Sequence, residues 1–292
     1  MVNIIRAQVL GFCMGVRRAV DLTCAEASRL KDAFLVNGKG ACFTFGPLIH
    51  NPRVLKELAG RGVRVIEELP NDLTGTSLII RAHGVSPHIE QAAREKGAKV
   101  VDATCPLVKA SQTKASWLVQ NGCNLFLAGE ANHAELLGIM GYAPGSITVG
   151  NPDEAEAAAG KLHLTNPHAK TALIGQTTIG EDEYAAISRA IQKYFPLLEI
   201  MQTICPATKE RQESLRHLLG TVEAVIIAGG KESANTRRLF AIAQEAGKPC
   251  VLAESPADIP AEFASYQNIG LCAGASTPDS LIDEIERMMK NI

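Results

Sequence analysis

Short continuous apolar runs recur along the chain, as in Leu78-Ile79-Ile80, Leu125-Phe126-Leu127 and Val225-Ile226-Ile227, separated by longer stretches whose apolar residues fall at helical spacing. Strands buried on both faces need such runs, so the alternation predicts an α/β fold of mainly parallel sheets covered by helices. The pattern then repeats. A first round predicts helices over 16–30, 52–61 and 87–96, with strands over 41–45, 63–66, 77–81 and 99–102. A second predicts helices over 106–120, 152–159 and 181–194 and a short one after 135, with strands over 124–128, 147–149, 171–174 and just before 205. A third predicts helices over 206–219, 236–245 and 278–289, with strands over 224–228, 250–253 and 268–272. The chain divides accordingly into lobe 1 over 1–104, which includes an N-terminal strand, lobe 2 over 105–204, and lobe 3 over 205–292 with a C-terminal helix.

Cys13, Cys105 and Cys205 occupy the same place in the three rounds: each follows a strand, lies beside Gly or Pro, and precedes a helix. In Cys105-Pro106 and Cys205-Pro206 the proline suits the first helical position. The cysteine is then an N-cap, where amides and the positive end of the helix dipole favour a thiolate. Gly11 and Gly15 around Cys13 allow a sharp turn and the close approach of something bulky. Three thiolates on a pseudo-threefold axis can hold an iron–sulfur cluster by three corners, leaving the fourth iron to a substrate.

Polar turns repeat with the cysteines. One set is His50-Asn51, His133 with Glu135, and Ser233 with Asn235; the other is His83-Gly84, Thr177-Thr178 and Ser276-Thr277. Helix N-termini aimed at one point make an anion site, to which the three histidines add charge when protonated and the Ser, Thr and Asn groups add directed hydrogen bonds. Glu135 is the one carboxylate in this constellation, which makes it a candidate proton donor.

Composition narrows the reading. The 292 residues are 46% hydrophobic and 21% charged, with a formal net charge of −2, so no broad basic surface invites nucleic acid or an anionic membrane. No apolar run approaches the roughly 20 residues that span a bilayer, and the N-terminus lacks a signal-peptide pattern, so a cytoplasmic setting is expected. In that reducing compartment the eight cysteines are not expected to pair, and no C-x-x-C occurs to mark a zinc ribbon or ferredoxin-type run. Cys24, Cys42, Cys123, Cys250 and Cys272 read as small hydrophobes. His88, His163, His168 and His217 read as solvated surface. No GxGxxG follows a strand and 229–236 lacks P-loop spacing, so no bound nucleotide cofactor is expected and any electrons come from outside.

The ordered strings GFCMGV, GPLIHN, RAHGVS, DATCPLV, GEANHAELLGIMG, GQTT, ICPAT, GGKESANTRRL and GAST resemble the motifs of the 4-hydroxy-3-methylbut-2-enyl diphosphate reductase family, over nearly the whole chain. The resemblance implies three α/β lobes in a trefoil around a central cavity. It further implies an oxygen-sensitive [4Fe–4S] cluster with Cys13, Cys105 and Cys205 as its three protein ligands. The diphosphate pocket would comprise His50, His83, His133, Thr177, Thr178, Ser233, Asn235 and Ser276. Glu135, Thr177 and His133 would be catalytic, with Glu135 the proton donor. The implied reaction is a two-electron reductive dehydroxylation giving isopentenyl and dimethylallyl diphosphate, with ferredoxin or flavodoxin as external electron donor. This chain has Ala234 where the family often has a second serine, and Ala134 and Leu136 where Pro and Val are common. A non-redox iron–sulfur hydro-lyase acting on a small phosphorylated substrate and a non-catalytic sensor are the alternatives, and the oligomeric state stays open between monomer and homodimer.

Overall fold

The structure, a computed structural model, describes residues 2–37 and 40–291. It opens with strand β1 (Asn3–Arg6) and helix α1 (Met14–Asn37). Lobe 1 continues with β2 (Cys42–Phe45), α2 (Pro52–Gly60), β3 (Val63–Ile66), β4 (Ser77–Ile80), α3 (Pro87–Glu95) and β5 (Lys99–Asp102). Lobe 2 holds α4 (Pro106–Gln120), β6 (Asn124–Ala128), α5 (Ala134–Tyr142), β7 (Ile147–Val149), α6 (Pro152–Thr165), β8 (Thr171–Gly175), α7 (Glu181–Gln192) and β9 (Glu199–Ile200). Lobe 3 holds α8 (Pro206–Leu219), β10 (Ala224–Ala228), α9 (Ala234–Glu245), β11 (Cys250–Ala253), β12 (Asn268–Ala273) and α10 (Asp279–Lys290). Helices α1 and α6 run further than their apolar faces predict, to Asn37 and Thr165.

Each lobe is built on one four-stranded sheet, and every strand pairing is parallel, in the orders β3-β2-β4-β5, β7-β6-β8-β9 and β11-β10-β12-β1. The three orders are one topology three times over, the expected α/β trefoil. The apolar runs form the central strands, with Leu78, Phe126 and Ile226 fully buried. Burying each such side chain contributes about 2 kcal/mol.

One expectation is corrected. The N-terminal strand belongs to lobe 3, where Ile4 lies opposite Ile269 of β12 and joins a core with Phe263 and Leu281. The topology gives the reason: in each round the edge strand stands just before the cysteine, as β5 precedes Cys105 and β9 precedes Cys205. Among the described residues lobe 3 has no such strand after α10, and the strand preceding Cys13 completes its sheet and closes the ring of lobes. Arg6 then reaches α10, donating to Asp283 at 2.7 Å and to Glu286.

Among the described residues no helix is long and apolar enough to cross a membrane.

Candidate active site

The repeat positions the thiols. Cys105 and Cys205 are the N-caps of α4 and α8, each followed by proline. The carbonyls of Cys13, Cys105 and Cys205 accept the first helical hydrogen bonds, from the amides of Arg17 at 2.9 Å, Lys109 at 2.9 Å and Lys209 at 3.1 Å. Their own amides donate to the carbonyls of Ala275, Ala82 and Thr177 at 3.1, 2.9 and 2.9 Å. Those acceptors are equivalent residues of the second polar turns, so each cysteine is tied to the turn at the end of the preceding sheet. All three line one cavity of about 100 Å³. Gly15 is required there: a Cβ on it would stand 2.7 Å from Cys105 Sγ. The amides of Leu107 and Val108 favour the Cys105 thiolate as the N-cap argument expects, but burial outweighs them and raises its pKa above the ordinary thiol value. A thiophilic metal centre overcomes that cost by deprotonating its ligands. Three thiols, one at each junction between lobes, suit an iron–sulfur group, and Glu135, the carboxylate that shares the cavity, is already engaged by Thr177.

The opposite wall is polar. The rings of His50, His83 and His133 come together, with centroids 4.9, 6.1 and 5.3 Å apart. Asn51, His133 and Ser233 are equivalent N-caps, of α2, α5 and α9, and each side chain accepts from a first-turn amide. Ser233, Asn235 and Ser276 line the same cavity, and both side-chain polar atoms of Asn235 are buried without a protein partner. Such a group awaits a ligand or water.

Protonation of the histidines would add charge to this wall, and burial opposes it. Desolvation lowers the pKa of His50, lowers that of His83 well below the usual value, and brings His133 to about 4. Burial thus favours the neutral form of all three imidazoles. With ring nitrogens within 4.8 Å of one another they can donate to an anion or ligate a divalent metal ion.

Glu135, 1% exposed, is clamped by Thr177, whose amide donates to one carboxylate oxygen at 2.7 Å and whose hydroxyl donates to the other at 2.8 Å. Burial dominates these bonds and lifts the carboxyl pKa to about 7. A carboxyl that titrates near neutrality inside a cavity can keep a proton and release it. Thr178 lines the cavity beside it and accepts from Gln176 Nε2 at 2.9 Å.

All the candidate residues thus surround one space. Sequence reasoning missed Arg81 and Gln176, which stand behind that wall at equivalent positions. The only signal for Arg81 was a charge at the end of a fully buried run. His163 is also not solvated: it packs on Tyr194 and Phe195, with centroids at 5.9 and 5.6 Å.

A threefold ring of parallel sheets, meeting at three thiols that face a buried carboxyl and an imidazole cluster, defines a trefoil metalloenzyme that handles a small anionic substrate. Comparison with known proteins makes the assignment specific: the chain belongs to the family described as LytB protein, whose model matches residues 4–290. It is 43% identical to a 4-hydroxy-3-methylbut-2-enyl diphosphate reductase of Treponema denticola, over 97% of this chain and 98% of the relative. It is 37% identical to the Aquifex aeolicus reductase of that name, over 100% and 97%. Among solved structures, the E-1-hydroxy-2-methyl-but-2-enyl-4-diphosphate reductase of Plasmodium falciparum superposes with a TM-score of 0.87 at 28% identity, covering 98% of this chain and 87% of that one. A structure of (E)-4-hydroxy-3-methyl-but-2-enyl diphosphate reductase, described as the terminal enzyme of the non-mevalonate pathway, superposes with 0.69 at 36% identity, covering 100% of both.

Proposed function

We infer that the chain performs the reaction for which its relatives are named, replacing the allylic hydroxyl of 4-hydroxy-3-methylbut-2-enyl diphosphate by hydrogen. Two electrons and two protons enter, the C–O bond breaks, the oxygen leaves as water, and protonation at either end of the allyl unit yields isopentenyl or dimethylallyl diphosphate. The observation that carries this reading is Glu135, a carboxyl near pKa 7 sharing one small cavity with three thiols.

Cys13, Cys105 and Cys205 are the residues that would hold a [4Fe–4S] cluster. Bound there, it supplies the electrons and, at the iron without a cysteine, Lewis-acid pull on the hydroxyl oxygen. Everything else falls to the chain. His50, His83 and His133 turn ring N–H groups toward the diphosphate, joined by Thr178, Ser233, Asn235 and Ser276, while the backbone N–H of Ala234 serves where a serine hydroxyl is missing. Glu135 gives its proton to the departing hydroxyl, and the Thr177 hydroxyl, already bonded to that carboxylate, keeps the proton on the side of the substrate. Electrons come one at a time from an external carrier such as ferredoxin or flavodoxin. A non-redox hydro-lyase would work without that carrier, so strict dependence on a reductant separates the two readings.

Replacing Glu135 by Gln tests the assignment. The anaerobic enzyme should keep its iron and sulfide and still bind pyrophosphate, while turnover drops at least about 100-fold. Near-normal turnover would refute the role given to Glu135.

A further inference from the structure

The cavity that would receive the diphosphate is lined by no lysine or arginine among the described residues, and burial pushes its three imidazoles toward the neutral form. Burying a multiply charged anion against such a wall is costly unless a compensating cation stands close behind it.

Comparing the three lobes isolates that cation. The second polar turn of each lobe has one side chain placed to lie across the glycine that opens the first turn. In lobe 2 this is Gln176, against Gly129, and it is fully engaged: its Oε1 accepts from the Glu130 amide at 3.0 Å and its Nε2 donates to Thr178 at 2.9 Å. In lobe 3 the place falls to Gly274, which has no side chain. In lobe 1 it is Arg81, lying so close to Gly46 that a Cβ there would stand 2.5 Å from Nη1. Gly46 has φ +68, a conformation that favours glycine, so the chain keeps this place clear for the guanidinium.

Arg81 is half-buried, and its one hydrogen bond to protein runs from Nε to the Gly84 carbonyl at 3.2 Å. Among the described residues its two Nη groups have no hydrogen-bond partner and it forms no ion pair. It lines a vestibule of about 590 Å³ that shares His50 and His133 with the inner cavity. The other arginine of that vestibule, Arg237, is already held by Glu130 at 2.7 Å and lies 3.9 Å from Glu232. Desolvation is the main cause of the lowered pKa of the three imidazoles; the charge of Arg81 adds to it at each and that of Arg237 at His50 and His133, while Glu67 of the same vestibule acts on the Arg81 charge.

We propose that Arg81 is the permanent cation of the diphosphate site, drawing the anion in through the vestibule and holding its charge from behind the histidines. The inference rests on the diphosphate reading of the cavity. It assigns Arg81 to binding and positioning, with no part in proton transfer.

The test uses anaerobic holoenzyme, with inorganic pyrophosphate as the probe and steady-state kinetics alongside. Pyrophosphate should compete with substrate in the unsubstituted enzyme. Arg81→Gln keeps a donor for the Gly84 carbonyl but removes the charge, and it should raise both the pyrophosphate inhibition constant and KM by about tenfold or more, with kcat within about twofold. Arg81→Lys should restore most of the loss, and added salt should weaken pyrophosphate binding less in Arg81→Gln than in the unsubstituted enzyme. The proposal is overturned if Arg81→Gln binds like the unsubstituted enzyme, or if Arg81→Lys is as impaired as Arg81→Gln with an unchanged salt response, since the side chain would then only brace its loop. If pyrophosphate does not compete even in the unsubstituted enzyme, the diphosphate reading falls, and the assignment of Arg81 with it.

Discussion

Lobes 1 and 2 meet in a different way from lobes 2 and 3. Between lobes 1 and 2, α5 packs on α3 through glycines: a Cβ on Gly141 would stand 2.3 Å from Ser86 Cβ, and one on Gly138 would reach the Gln112 amide at 3.3 Å and the His83 carbonyl at 3.5 Å. Lobe 3 meets lobe 2 through arginines, Arg237 to Glu130 at 2.7 Å and Arg238 to Glu183, whereas against lobe 1 it adds close packing, since a Cβ on Gly230 would stand 2.3 Å from the His50 carbonyl oxygen. Close packing has a single fitted arrangement, whereas exposed ion pairs re-form at little cost. The contrast teaches that His83 and Glu135, which belong to the packed pair of lobes, are held in fixed relation, while Ser233, Asn235 and Ser276 arrive with a lobe whose contacts with lobe 2 are exchangeable.

The largest way to break the comparison is to fill the packed interface. Gly141→Leu puts a side chain where Ser86 Cα already lies within 2.8 Å of a Cβ, so the backbone of lobe 1 must move. Overpacking of this kind costs about 3 kcal/mol, beyond the fraction returned by better helix propensity. Thermal unfolding of the variant should begin well below that of the parent. An unchanged Tm would mean that α3 and α5 are not locked together.

An effect of similar size comes from pH at the same helix, since Glu135 lies in the first turn of α5. Its pKa rises from 4.5 to about 7 on folding. The unfolded chain therefore loses that proton first as pH rises, and stability declines between about 4.5 and 7 because the folded state must bury a charge. Glu135→Gln removes the decline. Without the metal centre, the variant should be more stable than the parent by about 3 kcal/mol at pH 8, with the difference gone at pH 4. Parallel stability curves across that range would show that the carboxyl is not desolvated as described.

Much of this was legible from residues. The apolar runs marked the central strands because parallel strands covered on both faces admit little else, and the cysteines stood out because their Gly and Pro neighbours recur with them. The placement of β1 was hidden, since which sheet edge a strand joins is settled by partners far along the chain. The charge state of the histidines was hidden because it depends on burial, which the order of residues does not contain. Arg81 looked like an ordinary end of strand. Only when Gln176 and Gly274 occupy the same place in the other lobes does its lack of a partner become visible.

The smallest effect sharpens the comparison most. Replacing Arg237 and Arg238 together by Ala removes both ion pairs between α9 and lobe 2, and each partly exposed pair contributes under about 1 kcal/mol. Global stability should barely change. The consequence is local: amide hydrogen exchange in α9 should quicken, while exchange in α5 stays as in the parent. Salt should imitate the substitution, because raising ionic strength from about 0.01 to about 1 M shortens the screening length from about 30 to about 3 Å. The small-residue contacts of α5 carry no charge for salt to screen. If α5 and α9 respond alike to salt, the two interfaces are not different in kind, and lobe 3 is fixed to lobe 2 as firmly as lobe 1 is.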